Sequence, residues 1–148
     1  MFTIEVDDHA VKGWLTAMPD KVRQRLEYHV NLMAQKLLSH VVRDKLMGQV
    51  LNRVTGALGR SIQETVTTTA TSVTGKVYSA GDVVYGRIHE YGETVTRRVS
   101  QAWGRPMKNP RDVVFHYPER SFMRTSLADY KDEIIQHIKQ GVAEGLQP

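Results

Sequence analysis

Two stretches of this chain repeat apolar residues at intervals of three and four, and that periodicity constrains the fold more than any other feature. Val22, Leu26, Val30, Met33, Leu37 and Val41 make one stripe, and Met123, Leu127, Tyr130, Ile134, Ile138 and Val142 make a second. A 3.6-residue turn brings each set onto a single face, so the spacing predicts two long amphipathic helices, over about 20–46 and 121–146. Pro19 and Asp20 supply the start signal of the first, and Lys21, Arg25, Gln35, Lys36 and Arg43 fall on its opposite, solvent or subunit face.

Between the helices the pattern changes. Ile62 to Ala70 and Ser72 to Ser79 are rich in Thr and Val, whose branched side chains suit a pleated surface, and they predict an antiparallel hairpin over about 62–79 with its turn near Ala70, Thr71 and Ser72. Phe2 to Val6 alternates like a short strand, followed by a brief helix through Trp14 and Leu15. The run from Thr55 to Ile62 reads as a loop with one helical turn, and Val83 to Tyr91 as a short helix ended by Gly92. Gly104, Pro106 and Pro110 punctuate the residues from Glu93 to Asp112, which are expected to form a long, largely unpaired loop. Val113 to Tyr117, closed by Pro118, completes the sheet. The expected architecture is α+β: one domain over 1–148, with two helices packed on a small antiparallel sheet of three to four strands.

Composition narrows the chemistry. With 41% hydrophobic and 24% charged residues the chain can build a core, and no run approaches the roughly 18 apolar residues of a membrane span. No basic segment leads into an apolar run near the first residue, so a protein made and used without crossing a membrane is expected. The sequence has no cysteine, which removes disulfides, thiolate catalysis and zinc thiolate sites together. Its net charge is only +4, yet Arg97, Arg98, Arg105, Lys108 and Arg111 lie close together without an acid from Arg97 to Arg111, and Trp103 sits among them. Arg and Trp anchor protein interfaces, and the same residues can grip a phosphate backbone and stack a base. A subunit or partner interface is the favoured reading, and a nucleic-acid-binding module is the alternative.

Enzymatic motifs are missing. His89-Glu90-Tyr91-Gly92 begins like a zinc-protease helix, but Glu93 stands where the second histidine one turn on would be. His89 and Glu90 are instead expected to hydrogen-bond nearby backbone. The other histidines show no ligand spacing and are expected at the surface or an interface. Ser61, Ser79, Ser100 and Ser121 lack the Gly-x-Ser-x-Gly frame, and Gly56 and Gly59 are not followed by Gly-Lys-Ser/Thr. Neither an enzyme nor a cofactor or metal is expected.

Three segments in fixed order resemble the motifs of one known family. Thr55-Gly56-Ala57-Leu58-Gly59-Arg60-Ser61-Ile62 resembles its Thr-Gly-x-Leu-x-x-Ser-Ile step. Tyr85-Gly86-Arg87-Ile88-His89-Glu90-Tyr91-Gly92 resembles Tyr-Ala-x-x-His-Glu-Tyr/Phe-Gly, with Gly86 in place of Ala. Pro118-Glu119-Arg120-Ser121-Phe122-Met123-Arg124 resembles Pro-Ala-Arg-Pro-Phe-Leu/Met-Arg, with Ser121 in place of the second Pro. In that order they are similar to the head-tail joining, neck or tail-completion proteins, a family of minor virion proteins from long-tailed bacteriophages, and the resemblance covers roughly Gln49 to the last residue. It implies a structural protein, assembled in the bacterial cytoplasm, that forms a ring, hexameric in this expectation, at the neck or tail terminus of the virion. Its partners would be further copies of itself, the tail tube protein and the head connector or a neighbouring neck protein, with DNA passing through and touching lumen-facing basic residues. Within the motifs, Tyr85 and Tyr91 are expected to give buried or interface aromatic area, and Arg120 to pair with Glu90.

Overall fold

The computed structural model describes residues 3–5, 19–51, 56–81 and 83–147. The expected helix through Trp14 and Leu15, and Thr55 of the first motif, lie outside these residues. In chain order the elements are β1 (Thr3–Glu5), α1 (Asp20–His40), α2 (Ala57–Ser61), β2 (Ile62–Thr68), β3 (Val73–Ser79), α3 (Val84–Tyr91), β4 (Glu93–Ala102), β5 (Arg105–Tyr117) and α4 (Met123–Gly145).

The fold is α+β, and both helical stripes face inward. Val22, Leu26, Met33 and Val41 are buried, as is Met123 on α4, while Lys21, Arg25, Gln35, Lys36 and Arg43 are exposed. Beyond His40 the helix widens into π geometry over Val41–Gln49 and leaves helical angles at Met47 and Gly48. The two long helices lie side by side, and α1 also crosses the β2–β3 hairpin. Near the end of α4 their backbones almost touch: a Cβ on Gly145 would lie 2.4 Å from Val22 Cα.

β3 is the centre of a three-stranded antiparallel sheet in the order β1-β3-β2, so among the described residues β2 is an edge strand. Its pairing with β3 runs from Ile62↔Ser79 to Thr68↔Val73, and the Thr69 N–H bonds to Ser72 O across the turn. The main core gathers Val41, Leu46 and Leu51 behind α1, Leu58 and Ile62 at the start of β2, Val77 on β3, and Phe122 and Met123 at the head of α4. Three distant parts of the sequence therefore share one core. An apolar cavity of about 90 Å³ is left between the helices and the sheet, bounded by Met33, Leu37, Val77, Leu127, Ile134 and Ile138 among others.

Two expectations fail in one place. Residues 93–112 are not an unpaired loop, and Val113–Tyr117 does not join the sheet of the first hairpin. β4 and β5 pair with each other as a second antiparallel ribbon, from Glu93↔Tyr117 through Arg98↔Asp112 to Ala102↔Arg105, with an irregularity between Val99 and Gln101. The ribbon accommodates the punctuation residues at its turn and at or beside this irregularity. Trp103 and Gly104, with φ of 55° and 75°, form the two-residue turn, since positive φ at both central positions matches the twist of a hairpin. Pro106 and Pro110 both lie on β5, a strand with an unpaired outer side, where a missing N–H costs no ladder bond.

Candidate functional site

The second and third motifs meet in a buried clamp. α3 carries Glu90 into the interior, where the residue is 0% exposed. One carboxylate oxygen accepts the Phe122 and Met123 N–H groups, both at 2.9 Å. The other accepts the Arg124 N–H at 3.0 Å, the Ser121 hydroxyl at 2.7 Å and Arg124 Nε at 3.1 Å. The three backbone N–H groups are orphan donors at the start of α4, whose N-cap Phe122 supplies no side-chain cap. A full negative charge at a helix N-terminus is also favoured by the helix dipole. Burial works against the charged form, but the donors at Met123, Arg124, Ser121 and Phe122 together outweigh it, and the Glu90 pKa is held below the ordinary glutamate value.

Arg124 closes the clamp from outside. Its Nη2 donates to Glu90 O at 2.8 Å and to Glu119 at 2.5 Å, and its guanidinium lies 4.9 Å from the centre of the Tyr91 ring. The expected partner of Glu90 was Arg120, and the structure replaces it with Arg124. Arg120 contributes only its backbone N–H, to His89 O at 2.7 Å. The reason is helical geometry: the donors of the first turn converge at 122–124, and the Arg124 side chain starts from the same turn. Glu90 does bond backbone, but that of 122–124, distant in sequence, and not the adjoining chain. His89 is partly buried, and that burial, then the nearby Arg120 charge, lowers its pKa. Tyr85 and Tyr91 keep 42% and 47% of their surface exposed, so they are interface candidates and not core.

Gly92 is the pivot between clamp and ribbon. Its N–H bonds to Ile88 O at 2.8 Å and ends α3, and its φ is 69°. A Cβ there would meet Glu119 N at 2.9 Å and Tyr117 O at 3.1 Å, so the returning chain passes where only glycine leaves room. The ribbon therefore leaves the body at Glu93 and returns at Tyr117 beside a rigid base. It makes little contact with the helices or the first sheet, and projects as an arm. At about 3.3 Å per residue the 10 residues of β4 extend it by roughly 30 Å.

The arm carries all the expected interface residues, but not as one patch. Arg97 and Arg111 share a face with Val95, Val99, Val113 and Phe115, whereas Arg98 lies on the other face, 3.8 Å from Asp112. Arg105 flanks the turn, Lys108 lies in the irregular part of β5, and Trp103 is fully exposed at the tip. Within 93–117 five cationic side chains face the two carboxylates Glu93 and Asp112, which gives the arm a net +3 of the chain's +4.

The first motif serves the core. Gly56, with φ 72°, starts α2; Leu58 and Ile62 are buried, and the Ser61 hydroxyl bonds Leu58 O at 2.7 Å and the Ser79 hydroxyl at 2.9 Å. One histidine also departs from expectation. His29 is buried between the long helices, its Nδ1 3.0 Å from His137 Nδ1 and its Nε2 3.3 Å from Glu144. No spacing rule could pair residues 29 and 137, since their contact exists only after the helices pack. Among the described residues no three His, Asp or Glu side chains converge as a metal site. Both Glu90 oxygens are already occupied by donors, so this carboxylate is unsuited to act as a general base.

Fold and site define an α+β protein with a clamped, projecting basic arm. Comparison with models of known protein families, with curated proteins and with solved structures finds no match to this chain. Among the described residues no helix is long and apolar enough to cross a membrane.

Proposed function

We propose that this chain is a structural protein of the neck or tail terminus of a tailed bacteriophage, a non-enzymatic subunit that assembles as a ring between tail tube and head connector. The observation that carries the reading is the union of the motifs. The two later segments that resemble the virion family form one clamp through Glu90, Phe122 and Arg124, and Leu58, Ile62 and Phe122 of the first and third share one core. Residues far apart in sequence thus build a rigid base, and from it the arm extends outward, as a subunit that grips neighbours requires. Its contacts in a ring would be head-to-tail, one patch meeting a different patch on the next copy.

Light scattering and negative-stain imaging over a range of protein and salt concentrations test this. Closed rings or concentration-dependent multimers are expected. A strict monomer at every concentration, also when mixed with tail tube protein, counts against it.

A second reading rests on the exposed arm itself. Arg97, Arg98, Arg105, Lys108 and Arg111 beside a solvent-exposed Trp103 suit a phosphate backbone and a stacked base. DNA binding that weakens steeply with salt, in the absence of any multimer, favours a nucleic-acid-binding module.

A further inference from the structure

Among the described residues β2 and β4 each have one side that pairs with no strand, and the residue patterns of these two edges match. Among the described residues β2 pairs only with β3, and β4 only with β5. Neither β2 nor β4 contains proline, whereas β5 has two and β1 is only three residues long, so β2 and β4 are the long edges able to accept a further strand. On β2 the half-buried side presents Ile62, Glu64 and Val66 in alternation. On β4 the apolar face presents Val95, Arg97 and Val99 at the same spacing. The opposite sides are polar in both: Gln63, Thr65 and Thr67 on β2, and Thr94, Thr96 and Arg98 on β4.

One atom on the β2 edge lacks a partner. Glu64 Oε2 is buried and accepts no hydrogen bond among the described residues. Three other carboxylates of the body are held by partners: Asp129 by Lys45 and His40, Glu133 by Lys36, and Glu144 by His29 and Gln140. On the arm, Arg97 is exposed and sits opposite Val113, not opposite an acid. A two-stranded ribbon is marginal in water unless a face or an edge is covered, which gives the arm reason to find a further strand.

We infer that copies of this chain join by strand addition, the β4 edge of one copy pairing antiparallel with the β2 edge of the next, with Arg97 set against Glu64. In that register Ile62 meets Val99, Val66 meets Val95, Thr65 meets Thr96 and Thr67 meets Thr94. Apolar side chains fall on apolar ones, the two opposite charges meet at the centre, and the outer faces stay polar. Pairing of arm with arm is disfavoured, because it would bring the arginines of two net-positive ribbons together. The contact uses different surfaces on the two copies and therefore propagates, closing into a ring or running on as a filament. The inference deepens the ring reading above and rests on it for closure.

The test uses the full chain. Glu64→Arg and Arg97→Glu, each alone, are expected to weaken self-association at least tenfold, and the double variant E64R/R97E to restore it. Because E64R alters a half-buried position, a second measurement leaves the fold untouched: Thr65→Cys and Thr96→Cys, both at exposed sites in a chain without cysteine, are mixed and mildly oxidised. Disulfide-linked dimers containing one of each variant are expected. Multimers without that mixed disulfide, or with T96C linked mainly to itself, overturn the contact and leave the ring reading standing. Filaments that carry the mixed disulfide uphold the contact and overturn closure, and a strict monomer overturns both.

Discussion

Glu90 caps a helix that begins thirty-three residues later in the chain, accepting the Phe122 N–H at 2.9 Å from a position with no solvent exposure. The pairing couples the two segments that flank the arm, so the arm's direction depends on one carboxylate. Its charge is balanced by backbone N–H groups, a hydroxyl and Arg124, and loss of the side chain leaves those donors buried without a partner.

Glu90→Ala is accordingly expected to cost about 3–5 kcal/mol of folding free energy, the range for breaking a buried charged network. Urea unfolding measures it, and a loss under about 1 kcal/mol would sink the structural role assigned here. The pH dependence follows from the lowered pKa. Between the folded and unfolded values the unfolded chain binds more protons, so the stabilisation is complete above the ordinary glutamate range and fades as the pH falls through the folded value. Glu90→Gln removes that part of the acid limb.

Glu64 should behave with the opposite sign. Burial raises its pKa, so the folded chain holds the proton longer and stability falls as the pH rises through the shifted range. In the free monomer Glu64→Gln flattens this alkaline-going loss, seen as a smaller drop in Tm between mildly acidic and neutral pH. An unchanged pH slope would show that Glu64 has a partner in solution.

Gly145→Ala places a methyl group where Val22 Cα stands 2.4 Å away and Val22 N 2.9 Å away. Both are backbone atoms of α1, so the helices must part. A loss of about 1–3 kcal/mol is expected from overpacking. Alanine's better helix propensity works in the other direction but is smaller, about 1 kcal/mol. A neutral variant by thermal melting would show that the ends of the two helices are loosely packed.

Trp103→Asn exchanges a bulky residue at positive φ for one that tolerates it, at a tip touching no core element. Folding free energy should stay within about 0.5 kcal/mol of the parent or improve. Binding to a partner that uses the tip should weaken. A large destabilisation would mean that the indole packs on the body.

The sequence alone determined the elements whose periodicity is repeated over many residues. The two stripes fixed α1 and α4 to within a few residues, and the Thr and Val runs fixed β2, β3 and the turn between them, because local propensity and burial pattern agree there. It also marked the clamp's residues, through the segments containing Glu90 and Phe122, but not their geometry. Only the tertiary structure decided that Glu90 serves the α4 backbone and Arg124 in place of Arg120, that His29 is buried against His137, and that residues 93–117 form an arm. Proline and glycine weigh toward loop when read locally, and their cost vanishes on a strand with an unpaired side and in a two-residue turn. Which side of a strand lies unpaired is settled by neighbours distant in sequence, and no local pattern contains that information.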